Sequence, residues 1–204
     1  MAQTRTGKAR LGAPTLTASD WAEAALQLIA EKGLGALTIS ALAGRLGATK
    51  GSFYWHFTGR DELLAAALAR WERSVSEIIR GLDAVPDHRR RLELILDAAS
   101  QPPRSRSLYA ALAEAAEDPV VRKVLQRVAS LRIDYLEVCY RGLGLAAASA
   151  RAHAVLAYAA YRGLLQLAHE APGSLPAEWG SYAALNRQTF LPAVREKRAR
   201  GVKR

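Results

Sequence analysis

Residues 49–57 read TKGSFYWHF, a short run dense in hydrogen-bond donors around one glycine. Lys50 can reach a base edge or a phosphate, and Thr49, Ser52, Tyr54, Trp55 and His56 add hydroxyl and ring N–H groups beside it. Gly51 lets backbone come close to a partner. This is chemistry for grasping a polyanion. Phe53 and Phe57, with Ala48, are spaced to seat the same segment on neighbouring helices, leaving the polar side chains outside. Thr38 and Ser40 open the preceding helix, where free backbone amides and the helix dipole favour phosphate. The rival reading is a plain helical hairpin with its aromatics in the core. It crowds Tyr54, Trp55 and His56 onto a helix that needs only Phe53 and Phe57 buried.

No comparable set points to catalysis. The chain has neither a nucleophile elbow nor a compelling acid pair. His88, His153 and His169 lack a second ligand at metal spacing, so no metal is expected. Gly142-Leu-Gly144-Leu-Ala-Ala147 superficially matches a dinucleotide-binding pattern, but it follows a helix rather than a strand and reads as a helix break. No cofactor is expected.

Charge supports the polyanion reading. The formal net charge is +10, and it sits at the ends. Residues 1–60 carry seven Lys/Arg against three Asp/Glu, and residues 195–204 carry six against one. The middle is nearly neutral. Two basic ends suit nucleic acid, with anionic membrane as the competitor. The tail residues Lys197, Arg198, Arg200, Lys203 and Arg204 are equally consistent with a solvated end. Cys139 is the single cysteine, so no internal disulfide forms and a reducing cytoplasm is the expected setting. The longest apolar run, Ala154 to Tyr161, falls short of the ~20 residues of a membrane span.

The elements that must position these residues read as all-α. Residues 1–16 form a basic arm without periodicity. Thr17 and Asp20 make a capping-box-like start for a first helix with Trp21, Ala24, Ala25, Leu28 and Ile29 on one stripe, closed by Gly33. Thr38 caps a short second helix that ends at Gly47, and a third runs from Thr49 to about Trp55. Thr58 with Asp61 starts a long fourth helix on Leu64, Leu68, Trp71, Val75, Ile78 or Ile79, and Leu82. Pro86 suits the first turn of the fifth helix. The sixth covers about Ser107 to Ala116, the seventh Val120 to Arg141, the eighth Ala147 to His169, and the ninth Ala177 to Arg198 with a bend at Pro192. The domains expected are the arm at 1–16, a helix-turn-helix DNA-binding domain at 17–60, and a regulatory and dimerisation domain at 61–204 with its basic tail.

The ordered series Glu31-Lys32-Gly33, Leu37-Thr38-Ile39, Leu42-Ala43, Leu46-Gly47, Lys50 through Phe57 and Asp61-Glu62-Leu63-Leu64 resembles the TetR family of transcriptional regulators. The resemblance implies about nine helices, a homodimer built by the last two long helices, and a ligand pocket in the central helices. It assigns DNA contact to Thr38, Ser40, Lys50, Gly51, Ser52, Tyr54, Trp55 and His56, with Arg60 near the DNA backbone. Ser40 stands where a family member can carry an arginine that reads guanine, which weakens the case for base readout from the second helix. Beyond residue 65 the similarity is architectural.

One short reading helix touches too few bases for specificity, whereas a twofold dimer doubles them on a palindrome. The eighth helix suits that task, with Ala152, Val155, Leu156, Ala159 and Gly163 on one face and Tyr158, Tyr161, Leu165 and Ala168 on another. Trp71, Tyr109, Tyr135, Tyr158, Tyr161 and Arg162 are the candidate lining of a pocket for a small, largely apolar effector. The expectation is a cytoplasmic repressor released from a palindromic operator by such a molecule. Two other readings stay open: a DNA-binding regulator without a ligand, and a helical enzyme acting on an apolar molecule.

Overall fold

The computed structural model describes residues 16–102 and 108–193. The arm up to residue 15, the expected sixth-helix start at Ser107, the expected ninth-helix residues beyond 193 and the basic tail lie outside the described residues. Within them the ninth helix stops at Phe190, short of the bend expected at Pro192, because Leu191 before the proline turns to extended backbone.

Among the described residues nine α-helices and no strand are present. They are α1 (Ala18–Lys32), α2 (Ile39–Leu46), α3 (Lys50–Tyr54), α4 (Arg60–Leu82), α5 (His88–Ala99), α6 (Leu108–Glu114), α7 (Pro119–Gly142), α8 (Ala147–Glu170) and α9 (Trp179–Phe190). Capping residues set most of the boundaries. The Thr17 hydroxyl accepts from the Asp20 amide, and the Asp20 carboxylate accepts from the Thr17 amide at 2.7 Å, which closes a capping box on α1. Gly33, at φ 81°, ends α1 by donating its N–H to the Ile29 carbonyl. The box expected from Thr58 and Asp61 does not form, for Gly59 caps α4 without a side-chain bond. Thr58 donates both its amide and its hydroxyl to Glu62, while Asp61 is left exposed. The acidic partner is therefore one position further into α4, which has Gly59 as its cap. Pro86 precedes α5 rather than entering it, because Asp87 takes the cap by accepting from the Arg89 amide.

Two apolar clusters hold the helices together. The first joins Trp21, Leu28 and Ile29 of α1, Leu42 of α2 and Phe53 of α3 to Leu63, Leu64, Leu68 and Trp71 of α4. It continues to Leu112 of α6 and Val121 and Val128 of α7. It crosses the boundary expected at 60/61, so the first turns of α4 share a core with the three helices before them. The second cluster gathers Leu92 of α5, Leu136, Cys139 and Tyr140 of α7, and Ala150, Ala154 and Tyr158 of α8. Polar bridges add register. Arg127 of α7 grips Glu72 of α4 through two bonds of 2.7 Å, and Arg70 of α4 bonds Glu23 and Ser19 of α1.

Helix α9 has no buried residue. Its link to α5 is polar: Asn186 donates to the Leu96 carbonyl and the Ser100 hydroxyl, and Arg187 bonds Asp97. Tyr140 of α7 adds a bond to the Phe190 carbonyl at 2.9 Å. No helix among the described residues is long and apolar enough to cross a membrane.

Candidate nucleic-acid interface and a cavity behind it

Five residues cannot hold a helix in water, because nucleation costs more than so few hydrogen bonds return. Helix α3 exists through what it packs on. Phe53 is fully buried, edge-on to Trp21 of α1 with ring centroids 5.4 Å apart, and tilted against Phe57 at 5.6 Å. Gly47 makes the turn from α2, adopting φ 62°, ψ 28°, a left-handed conformation that a residue with a Cβ enters at a cost. Thr49 then caps α3 by accepting from the Ser52 amide at 3.1 Å. The remaining side chains have nowhere to go but outward. Tyr54 is 59% exposed and Trp55 87%, Lys50 and Gly51 are exposed, and Ser52 and His56 are half-buried. A tryptophan exposed to that degree marks a surface built for a partner.

Helix α2 presents its N-terminus on the same side. Thr38 caps it, accepting from the Ala41 amide at 3.1 Å, and both Thr38 and Ser40 are exposed. Their hydroxyl protons can donate outward. Two arginines hold this helix in place, a function not evident from the sequence. Arg45 donates two 2.7 Å bonds to Glu31 of α1 and a third to Gln27, and its grip on Glu31 holds that carboxyl below its ordinary pKa. Arg60 turns inward: its Nε donates to the Leu37 carbonyl at 2.9 Å and a terminal nitrogen to the Leu34 carbonyl at 3.4 Å. Its guanidinium is thus engaged on the segment that leads into α2, and it acts on that segment's placement rather than projecting freely. The signal in the sequence was only the buried loop itself, whose carbonyls need donors.

The structure brings Thr38, Ser40, Thr49, Lys50, Gly51, Ser52, Tyr54, Trp55 and His56 onto one helix pair packed on the first cluster. No group of His, Cys, Asp and Glu able to hold a metal ion is found among the described residues.

Behind this pair, at the far end of α4, lies a cavity of about 250 Å³. Ile78, Ile79 and Leu82 of α4 form one wall, Leu94 and Ile95 of α5 another, and Leu136 and Ala157 the floor, with Tyr135, Tyr158, Tyr161 and Arg132 supplying the polar groups. Of the six side chains expected to line a pocket, Tyr135, Tyr158 and Tyr161 do so. Trp71, Tyr109 and Arg162 stand outside the lining. Trp71 and Tyr109 are buried in the first cluster with rings 5.8 Å apart, and Arg162 lies 3.9 Å above the Tyr109 ring. Sequence reasoning missed Arg132, whose position at helical spacing from Val128 and Leu136 is a physical clue only once α4 and α8 are in place.

These features define a helix-turn-helix protein with a helical domain behind it. Residues 22–67 match the family described as "Bacterial regulatory proteins, tetR family". Over 65 residues the chain is 35% identical to two HTH-type transcriptional regulators of Pseudomonas putida, SrpR and TtgW. That match covers 32% of this chain, 28% of SrpR and 45% of TtgW, so the chain spans less than half the length of either curated relative. The fold extends further. A transcriptional regulator from Rhodococcus sp. RHA1 superposes with a TM-score of 0.70 over 86% of this chain and 96% of its own, at 23% identity.

Proposed function

We propose that this protein is a sequence-specific DNA-binding transcriptional regulator, a repressor that a small, largely apolar ligand releases from a palindromic operator. The observation that carries the DNA-binding role is α3: a five-residue helix anchored by one buried phenylalanine, with Lys50, Tyr54 and Trp55 held outward. In this reading α3 enters the major groove, and Thr38, Ser40, Thr49, Ser52, Tyr54 and His56 donate to phosphates around it. Such work is done at the chromosome, hence in the cytoplasm.

The partner of the second half is another copy of the chain. Val155, Leu156 and Leu167 of α8 and Leu185 of α9 are 43%, 62%, 44% and 59% exposed, and Ala152, Ala159 and Gly163 lie open between them. The opposite face, with Tyr158 and Leu165, is buried. Small residues flanked by exposed branched ones allow two such helices to approach closely. The cavity supports the ligand. It opens beside Ile78, which is 70% exposed, and its apolar walls favour this reading over a regulator with a filled core. Helix α4 connects the parts, for its 23 residues extend about 34 Å at 1.5 Å each. One end lines the cavity and the other carries Arg60, so a ligand wedged against Ile79 tilts the seat of α2.

Selection from random duplexes should return an inverted repeat with half-sites ~34–36 Å apart. Lys50→Ala should weaken binding to that duplex and lower the slope of log affinity against log salt by about 1 for each phosphate that Lys50 neutralises. A selection without symmetry, or affinity untouched by the substitution, refutes the assignment.

A further inference from the structure

The ligand's sign of charge can be read from the cavity. A cluster of tyrosines commonly receives a cation over the ring faces, and Tyr109, Tyr158 and Tyr161 look at first like such a site. Here the protein supplies the cation itself. Arg132 places its guanidinium carbon 5.6 Å from the centroids of both Tyr109 and Tyr161, and Arg162 sits 3.9 Å over the Tyr109 ring. Among the described residues that line the cavity, Arg132 is the one charged side chain, and no carboxylate is present.

Neither arginine forms an ion pair among the described residues, whereas Arg70, Arg91, Arg127 and Arg151 each meet an acid. Two like charges therefore flank one buried ring without a counter-ion. The acid of α4's C-terminal end, Asp83, is taken by Arg91 at 3.4 Å and accepts from the Tyr135 hydroxyl at 3.1 Å. The Tyr158 hydroxyl, 2.9 Å from that of Tyr109, completes a polar end, while Ile78, Ile79, Leu94 and Leu136 leave the opposite walls apolar.

From this arrangement we infer that the ligand is an amphipathic anion, with a carboxylate or comparable acidic group against Arg132 and an apolar body against α4 and α5. The inference rests on the cavity being a ligand site, as proposed above. An entering carboxylate gains a charge-assisted bond to a guanidinium that has only neutral tyrosines for company, and it offsets the repulsion between the two arginines. A quaternary ammonium meets that same repulsion with no acid to relieve it.

Three probes of equal chain length decide the question: octanoate, octanol and octyltrimethylammonium, titrated calorimetrically into the full-length protein at neutral pH. Octanoate should bind at least about tenfold more tightly than either of the others, the scale of one hydrogen bond to a charged group. Arg132→Met should remove that preference, and Arg132→Lys should keep most of it. Equal or tighter binding of octanol or the ammonium, or octanoate binding that ignores Arg132→Met, overturns the charge assignment while leaving a ligand site standing. Should none of the three bind, both the charge assignment and the ligand reading fall.

Discussion

Gly51→Ala separates a role in folding from a role in recognition. A Cβ at Gly51 meets only the Thr49 hydroxyl oxygen, at 3.6 Å, an ordinary van der Waals distance, and the backbone there has no positive φ that would demand glycine. Nothing inside the chain requires this residue. Alanine is favoured over glycine within a helix by ~0.5–1 kcal/mol, and less near an end. Since 1 kcal/mol moves the melting temperature of a chain this size by ~2–4 °C, the variant should melt unchanged or up to about 3 °C higher. Against DNA the sign reverses. Gly51 follows Lys50 on the exposed side of α3, where a methyl group keeps backbone and duplex apart. Losing one close approach to the duplex costs ~1–3 kcal/mol in each half-site, so affinity should fall about tenfold or more. Circular dichroism melts and fluorescence anisotropy on a duplex selected with the wild-type protein measure the two arms. A variant that melts higher and binds equally well would show that α3 does not bring its backbone to DNA.

Gly142 is glycine for an internal reason. A Cβ there would stand 2.2 Å from Cδ2 and 2.3 Å from Cγ of His88, so Gly142→Ala should destabilise by ~1–3 kcal/mol in urea unfolding, and His88→Ala should restore most of the loss. Equal costs in both backgrounds would place the strain elsewhere. Burial pushes the Cys139 thiol from 9.0 up to about 11, outweighing the smaller opposing pull of Arg91. The folded thiol holds its proton more tightly than the unfolded one, so its contribution is complete below pH 9 and is lost as pH rises through 11. Cys139→Ala should therefore lose less stability than the wild type between those limits, and parallel curves would refute the assignment.

Caps and periodicity made the helices legible because both are local. Thr17, Thr38 and Thr49 each bond the amide three residues on, and Gly33 and Gly47 take the positive φ that ends a helix, all within one turn of chain. The stripe Trp21, Ala24, Ala25, Leu28 and Ile29 proved wholly buried for the same reason, since 3.6 residues per turn dictates one face. The outward set on α3 was equally readable, for burying Phe53 and Phe57 leaves Tyr54 and Trp55 no inner side. Where Thr58 finds its acid was not readable, because Asp61 and Glu62 differ by one position and the entry angle of α4 chooses between them.

Matters of distance in sequence were settled only by packing. Arg60 reaches carbonyls at Leu37 and Leu34, and Arg45 reaches Glu31, pairings that exist because α1, α2 and α4 meet at one corner. Aromatic residues on α4, α6, α7 and α8 all had the composition of a pocket wall. Which of them face empty space depends on helix crossing: Tyr135, Tyr158 and Tyr161 do, while Trp71 and Tyr109 fill the neighbouring core. A helical pattern states which side of a helix is apolar; only the partner helix decides whether that side meets a side chain or a void.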